Sequence, residues 1–221
     1  MHALRFAERP ASGEAAGLLV LHHGRGSDEQ DMLALGEALD RERTLHLIAP
    51  RGPLRLGQAP GWHWYLVPRV GYPDRDTFFA AYRQLAGLHD ELWQRTGIAP
   101  AHTALGGFSM GTVMSYALGL GPDRPAPGGI LAFSGFIPKV EGWRAQLEDR
   151  AGTAVLIAHG RNDPVIDVEF ARRARQELEA GGLQVSYQES DGAHNIDPRQ
   201  LDAARQWLGA RLDVWRSAQA R

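Results

Sequence analysis

The chain has 221 residues, of which 26 are acidic and 24 are Lys or Arg, so its formal net charge at pH 7 is -2. The basic residues form no stripe, which argues against nucleic acid as a partner, and the absence of cysteine excludes disulfides and thiolate metal sites. A hydrophobic content of 43% without a dividing linker predicts one globular domain over residues 1–221.

The first ten residues lack the features of an export signal. They contain His2, Arg5, Glu8 and Arg9 but no apolar core of the kind that a signal peptide has. No stretch of the chain approaches the ~18 apolar residues that a membrane-spanning helix needs. We therefore expect a cytoplasmic protein without a membrane span.

Short apolar runs alternate with helix-like segments along the chain. Strands are predicted at 17–22, 44–49, 102–108, 128–134, 153–159 and 183–189, and helices at 28–40, 76–95, 110–120, 166–180 and 198–216. This alternation is typical of parallel strands joined by crossover helices. It predicts an α/β fold with a mostly parallel, doubly wound sheet, whose ligands bind at the carboxyl ends of the strands.

A loop with two glycines follows the first predicted strand and reads His22-His23-Gly24-Arg25-Gly26-Ser27-Asp28. Glycines on both sides of Arg25 allow its backbone to turn sharply, so the Arg25 N–H is a candidate donor to a developing negative charge. A phosphate-binding loop is the rival interpretation, but both nucleotide-binding fingerprints are missing. The adjacent His22 and His23 point to opposite sides of a strand end and have no third ligand nearby, so we expect no metal.

The segment 54–74 is rich in aromatic residues and in glycine and proline. It is too irregular for a regular element, and we interpret it as a substrate wall that includes Trp62 and Trp64. The alternative is a loop that folds back over the sheet, with its aromatic side chains forming a satellite core. Because no cap domain is inserted in so short a chain, we expect an open site that favours small or extended esters.

The pentad Gly107-Phe108-Ser109-Met110-Gly111 lies between a predicted strand and a predicted helix. Strand, tight turn and helix is the context in which a Gly-x-Ser-x-Gly motif presents a nucleophilic serine, here Ser109. The alternative is an ordinary glycine-rich loop in which the serine only caps the helix.

A serine nucleophile needs a base to remove its proton and a third group to orient that base. Asp163 follows the strand predicted at 153–159, and His194 follows the strand at 183–189, so they are our candidate acid and base. Asp167 is better placed to cap the helix predicted at 166–180.

Two further residues compete for these roles. Asp191 is too near His194 in the chain, and His159 is interpreted as a structural residue of a strand end. Taken alone, Asp163 also fits an Asx turn beside Pro164.

The tetrahedral intermediate of acyl transfer requires donors for its negative oxygen. Met110, directly after the nucleophile, supplies one amide by position, and Arg25 supplies the other. Phe108 and Phe136 are expected to add apolar surface near the serine. This chemistry requires neither a metal nor an organic cofactor.

The last predicted helix has apolar residues at helical spacing, from Leu201 to Trp215. Packing on the sheet is the favoured interpretation, and a homodimer surface is the alternative.

Taken together, the motifs resemble those of the phospholipase/carboxylesterase family of serine esterases, which are related to acyl-protein thioesterases and dienelactone hydrolase. The resemblance rests, in order, on Leu21 to Asp31, Ala49-Pro50-Arg51-Gly52-Pro53, Gly106 to Gly111, Phe133 to Pro138, His159 to Pro164 and Gly192-Ala193-His194. Dienelactone hydrolases use a cysteine nucleophile, which this chain lacks.

The resemblance implies an α/β-hydrolase fold without a separate cap domain. It also implies Ser109, Asp163 and His194 as a catalytic triad, with the Arg25 and Met110 amides as oxyanion donors. The expected activity is hydrolysis of small-molecule carboxylic esters, with short to medium acyl chains favoured. The alternatives are a thioesterase or lysophospholipase acting on long acyl chains, and a hydrolase fold that binds small molecules without turnover.

Overall fold

A seven-stranded sheet runs through residues 4–219, the part of the chain that the computed structural model describes. In chain order, the strands are β1 (Phe6–Arg9), β2 (Leu18–His22), β3 (His46–Pro50), β4 (Leu54–Arg55), β5 (Trp62–His63), β6 (Thr103–Phe108), β7 (Gly129–Phe133), β8 (Ala154–Gly160) and β9 (Gln184–Ser190). The sheet order is β1-β3-β2-β6-β7-β8-β9. β1 is antiparallel to β3 and the other neighbours are parallel, while β4 and β5 form a separate hairpin.

Helices cover both faces of this sheet. They are α1 (Glu29–Leu39), α2 (Arg75–Thr96), α3 (Met110–Leu120), α4 (Glu169–Ala180) and α5 (Pro198–Gln219), with a 3-10 turn at Pro100–His102. Apolar side chains of α2, α3 and α4 share one core cluster with the sheet, and those of α1 and α5 share another. Helices on both faces of a mostly parallel sheet confirm the predicted fold class.

The last helix, α5, packs on the sheet through its apolar stripe. Ala204, Leu208, Leu212 and Trp215 are buried in the same cluster as side chains of β2 and β3. The sheet therefore covers the apolar face of α5, which was the alternative candidate for a homodimer surface. Within residues 4–219, no helix has an apolar stretch long enough to cross a membrane.

Every predicted strand and helix is present, but β1 and the β4–β5 hairpin were not predicted. The hairpin strands have two residues each, which is too short for any periodic pattern. β1 reads Phe-Ala-Glu-Arg, and its buried end is the charged Arg9, so the usual apolar alternation is missing.

Arg9 is buried because it pairs with Asp40 at the end of α1. The Arg9 guanidinium lies 2.7 Å from Asp40 Oδ2, and both side chains are less than a tenth exposed. Asp40 also accepts hydrogen bonds from the Thr44 and Leu45 amides at 2.9 Å. Burial alone raises the pKa of Asp40, but the bonds from Arg9 and the amides outweigh it and lower the pKa below its usual value.

Asp40→Ala leaves the Arg9 guanidinium buried without its counter-charge. We expect the free energy of unfolding, measured by urea denaturation, to fall by about 3–5 kcal/mol. Glu37→Ala, at an exposed position of the same helix, is the control and should change it by less than about 0.5 kcal/mol. Equal stability of Asp40→Ala and wild type would show that the pair does not anchor the edge strand.

Candidate active site

Ser109 connects β6 to α3 in a left-handed backbone conformation, with φ 55° and ψ −118°. Such a φ is strained for a residue with a side chain and is common at functional sites. Glycine is required two residues before and two residues after Ser109. A Cβ at Gly107 would lie 2.4 Å from the Gly111 carbonyl carbon, and one at Gly111 would lie 1.8 Å from the His22 carbonyl oxygen.

Hydrogen bonds from β7 and α3 hold the strained turn in place. The Ser109 amide donates to the Phe133 carbonyl at 2.9 Å. The Thr112 hydroxyl lies 2.6 Å from the Gly107 carbonyl and 2.7 Å from the Phe133 carbonyl, so it bonds the turn to the neighbouring strand. These bonds offset the backbone strain and leave the serine side chain at the carboxyl edge of the sheet.

The structure brings Ser109, His194 and Asp163 together although they are far apart in the chain. His194 Nε2 lies 2.9 Å from the Ser109 hydroxyl, and His194 Nδ1 lies 2.6 Å from Asp163 Oδ2. The Asp163 side chain is fully buried, whereas that of His194 is 17% exposed. The arrangement can move a proton from the serine to the imidazole while the carboxylate stabilises the resulting charge.

Asp163 serves a turn and the imidazole at the same time. Its Oδ1 accepts the amides of Val165 at 2.8 Å and Ile166 at 2.9 Å, which leaves Oδ2 for His194. Burial raises the pKa of Asp163, but the bonds from His194 and the two amides lower it further, so the net pKa is below the usual value. The Asx turn weighed as an alternative is therefore what orients the carboxylate.

The competing residues have other contacts. Asp167 accepts the Glu169 amide at 2.8 Å just before α4, while Asp191 pairs with Arg161 on the surface. His159 is fully buried, and its Nε2 donates to the Ile166 carbonyl at 2.8 Å. Burial lowers the pKa of His159, which favours a neutral ring beside Asp163.

The loop after β2 has a backbone pattern that leaves one amide available. The Gly26 amide donates to the Trp62 carbonyl at 2.9 Å, and the Ser27 amide points to the Gly24 carbonyl at 3.3 Å. Within residues 4–219, the Arg25 and Met110 amides have no backbone hydrogen-bond acceptor. Met110 begins α3, where helix amides and the helix dipole favour a negative charge.

The aromatic residues predicted to line the substrate site do not share one environment. Phe108 lies with its ring centre 4.8 Å from that of His194. Phe136 lines a cavity of about 440 Å³ and packs on Phe170 at 5.1 Å. Trp62 is half-buried, with the Arg51 guanidinium 4.8 Å from its ring centre.

Trp64 was predicted as part of the substrate wall, and this prediction is wrong. Its side chain is fully buried, and its indole N–H donates to the His23 carbonyl at 2.9 Å. The loop folds back so that the indole lies behind the segment 22–27 and belongs to the core. Burial of so large a side chain is favourable once its N–H has a partner.

His23 has contacts that sequence reasoning missed. It was considered only as a metal ligand, but its ring bonds the backbone of Gly24 and Gly52. The available signal was a polar residue at the end of an apolar strand. A polar ring that is buried at such a position needs hydrogen-bond partners.

The sequence profile described as phospholipase/carboxylesterase matches residues 7–212. The chain belongs to this family. It is therefore a serine carboxylic ester hydrolase with the α/β-hydrolase fold, as the resemblance implied.

Three relatives illustrate the match. Esterase YpfH of Escherichia coli is 29% identical over 86% of this chain and 81% of its own length. Acyl-protein thioesterase 1 of Gibberella zeae is 24% identical over 92% of this chain and 94% of its own. The crystal structure of esterase PE8 is 31% identical, with a TM-score of 0.77 over 95% of this chain and 99% of that one. The similarity thus extends over nearly the whole described chain.

A side chain at position 111 is expected to disrupt the turn. Gly111→Ala forces a Cβ against the backbone of β2, so we expect the free energy of unfolding to fall by about 3 kcal/mol or more. Gly87→Ala is the matched control, because an added Cβ there meets open space and alanine favours the helix. Thermal unfolding of both variants measures the difference, and equal stability would contradict the close approach.

Proposed function

We propose that this chain is a carboxylesterase that hydrolyses esters of short to medium acyl chains through an acyl-enzyme on Ser109. The hydrogen-bonded series from the Ser109 hydroxyl through His194 to the buried Asp163 carboxylate carries the proposal. Membership of an ester-hydrolase family supports it, as does the strained backbone of the serine.

The reaction proceeds in two acyl transfers. His194 Nε2 takes the Ser109 proton as the serine oxygen bonds to the ester carbonyl carbon, and Asp163 holds the Nδ1–H of the ring. The carbonyl oxygen becomes negative and accepts the Arg25 and Met110 amides. His194 then donates the proton to the alcohol oxygen as the carbon–oxygen bond breaks.

Water repeats the sequence on the acyl-enzyme. His194 accepts a proton from the water, whose oxygen attacks the acyl carbon, and then returns it to Ser109 Oγ as the carboxylic acid leaves. The half-exposed Ser109 and partly exposed His194 allow this water to arrive from solvent. No step requires a redox change.

We assign the substrate wall to Trp62, Phe108 and Phe136. Phe108 contacts the catalytic imidazole. Phe136 follows the end of β7, packs on Phe170 and lines the cavity. These aromatic rings offer apolar surface for an acyl chain of moderate length.

A thioesterase or lysophospholipase acting on long acyl chains is the second candidate. The favouring observation is the cavity of about 440 Å³ whose lining includes Tyr72, Phe136, Ile137 and Phe170, together with the charged Lys139, Arg173 and Glu177. A relative named acyl-protein thioesterase 1 is similar in sequence over 92% of this chain.

Ser109→Ala removes the nucleophile without adding bulk, so the fold should remain intact. We expect kcat for p-nitrophenyl acetate to fall by about 10⁴-fold or more. Ser217→Ala, on the exposed face of α5, is the control. Wild-type turnover in Ser109→Ala would show that another residue is the nucleophile, and wild-type protein that no fluorophosphonate labels would favour a non-catalytic binder.

An acyl-length series separates the two enzymatic candidates. With p-nitrophenyl esters from acetate to palmitate, we expect kcat/KM to be highest at or below octanoate, because the site has no cap to enclose a long chain. Phe136→Ala should lower kcat/KM for octanoate more than for acetate, since we expect only the longer chain to reach Phe136. A steep rise toward palmitate would instead support the long-chain candidate.

A further inference from the structure

We propose that His23 is a positioning residue for the oxyanion hole, which it controls by holding the Gly24 carbonyl so that the Arg25 N–H faces the substrate. The proposal rests on the function proposed above, since it assumes that the Arg25 amide receives the negative oxygen. It adds a residue that does not touch substrate and acts through the backbone.

The two contacts of the His23 ring require one tautomer. The Gly52 amide lies 2.8 Å from Nε2, and a backbone amide can only donate, so Nε2 must accept. The proton of the neutral ring is therefore on Nδ1, which donates to the Gly24 carbonyl at 2.7 Å. Burial lowers the pKa of His23, more than nearby carboxylates raise it, and so favours this neutral ring.

The bond to Gly24 determines where the next amide points. The Gly24 carbonyl and the Arg25 N–H belong to one planar trans peptide, so they point in opposite directions. When His23 holds the oxygen on the buried side, the N–H faces away from the core. The Ser27 amide also lies 3.3 Å from the Gly24 carbonyl, so His23 makes the shorter of the two contacts that hold this peptide between its flexible glycines.

Trp64 links His23 to the other proposed donor. Its indole N–H donates to the His23 carbonyl, and its ring centre lies 5.0 Å from the imidazole centre. Its backbone amide lies 3.3 Å from the sulfur of Met110. Trp64 therefore bonds the His23 backbone with its side chain and the Met110 side chain with its backbone amide. Such fixed contacts help to preorganise the two proposed donors before the reaction starts.

Two substitutions of similar polarity separate the bond to Gly24 from the bond to Gly52. In His23→Asn, the amide nitrogen sits where Nδ1 was and can still donate to Gly24. In His23→Gln, the amide sits where Nε2 was and retains only the bond to Gly52. Each variant loses one hydrogen bond of the ring, so a merely structural role predicts similar losses of stability and activity.

We expect kcat/KM for p-nitrophenyl acetate to fall about 10²-fold in His23→Gln, and less than about tenfold in His23→Asn. The loss should lie mainly in kcat, because the oxyanion forms only in the transition state. End-point titration with a fluorophosphonate counts the folded active sites, and thermal unfolding compares the stability of the variants. Equal rates in the two variants, or a wild-type rate in His23→Gln, would overturn the proposal.

The wild-type protein supplies a second test that does not depend on either variant folding. In protein with ¹⁵N-labelled histidine, NMR at neutral pH should show His23 protonated at Nδ1 and not at Nε2. The opposite tautomer or a doubly protonated ring would refute the proposal. Wild-type protein without esterase activity would instead refute the proposed function, whatever the tautomer of His23.

Discussion

The carboxyl edge of the sheet, where Ser109 lies, depends on one steric constraint. This constraint is the close approach of β2, β6 and α3 around Ser109. Gly107 and Gly111 let the helix start directly against the His22 carbonyl, and the serine takes a left-handed conformation between them. The loop after β2 also lies against this turn, since a Cβ at Gly24 would lie 3.5 Å from Ser109 Cβ. A bulkier residue at either glycine would push α3 away from β2 and displace Ser109.

Buried polar groups around this edge each serve two partners. The Asp163 carboxylate uses one oxygen for a backbone turn and the other for His194, and the His23 ring bonds two backbone groups. A buried group with two fixed partners cannot rotate without losing a hydrogen bond, which costs more inside the protein than in water. The His194 ring and the Gly24 carbonyl are therefore held in fixed orientations.

Local sequence patterns were sufficient wherever a signal fits within one element. The apolar runs of the parallel strands, the periodic stripe of α5 and the Gly-x-Ser-x-Gly turn all predict what the structure contains. They failed at β1, where burial of Arg9 depends on Asp40 far along the chain. They also failed at Trp64, because a tryptophan in an irregular loop suits a substrate wall as well as a core.

The sequence by itself determined the fold class, the order of the strands and helices along the chain, and the candidate residues Ser109, Asp163 and His194. Those properties follow from side-chain patterns and chain order, which a linear sequence contains. Only the tertiary structure decided that Asp163 rather than Asp167 lies 2.6 Å from the imidazole of His194, and that the Trp64 indole is buried against the His23 carbonyl. Distances and burial arise from contacts between residues far apart in the chain, and no local pattern encodes them.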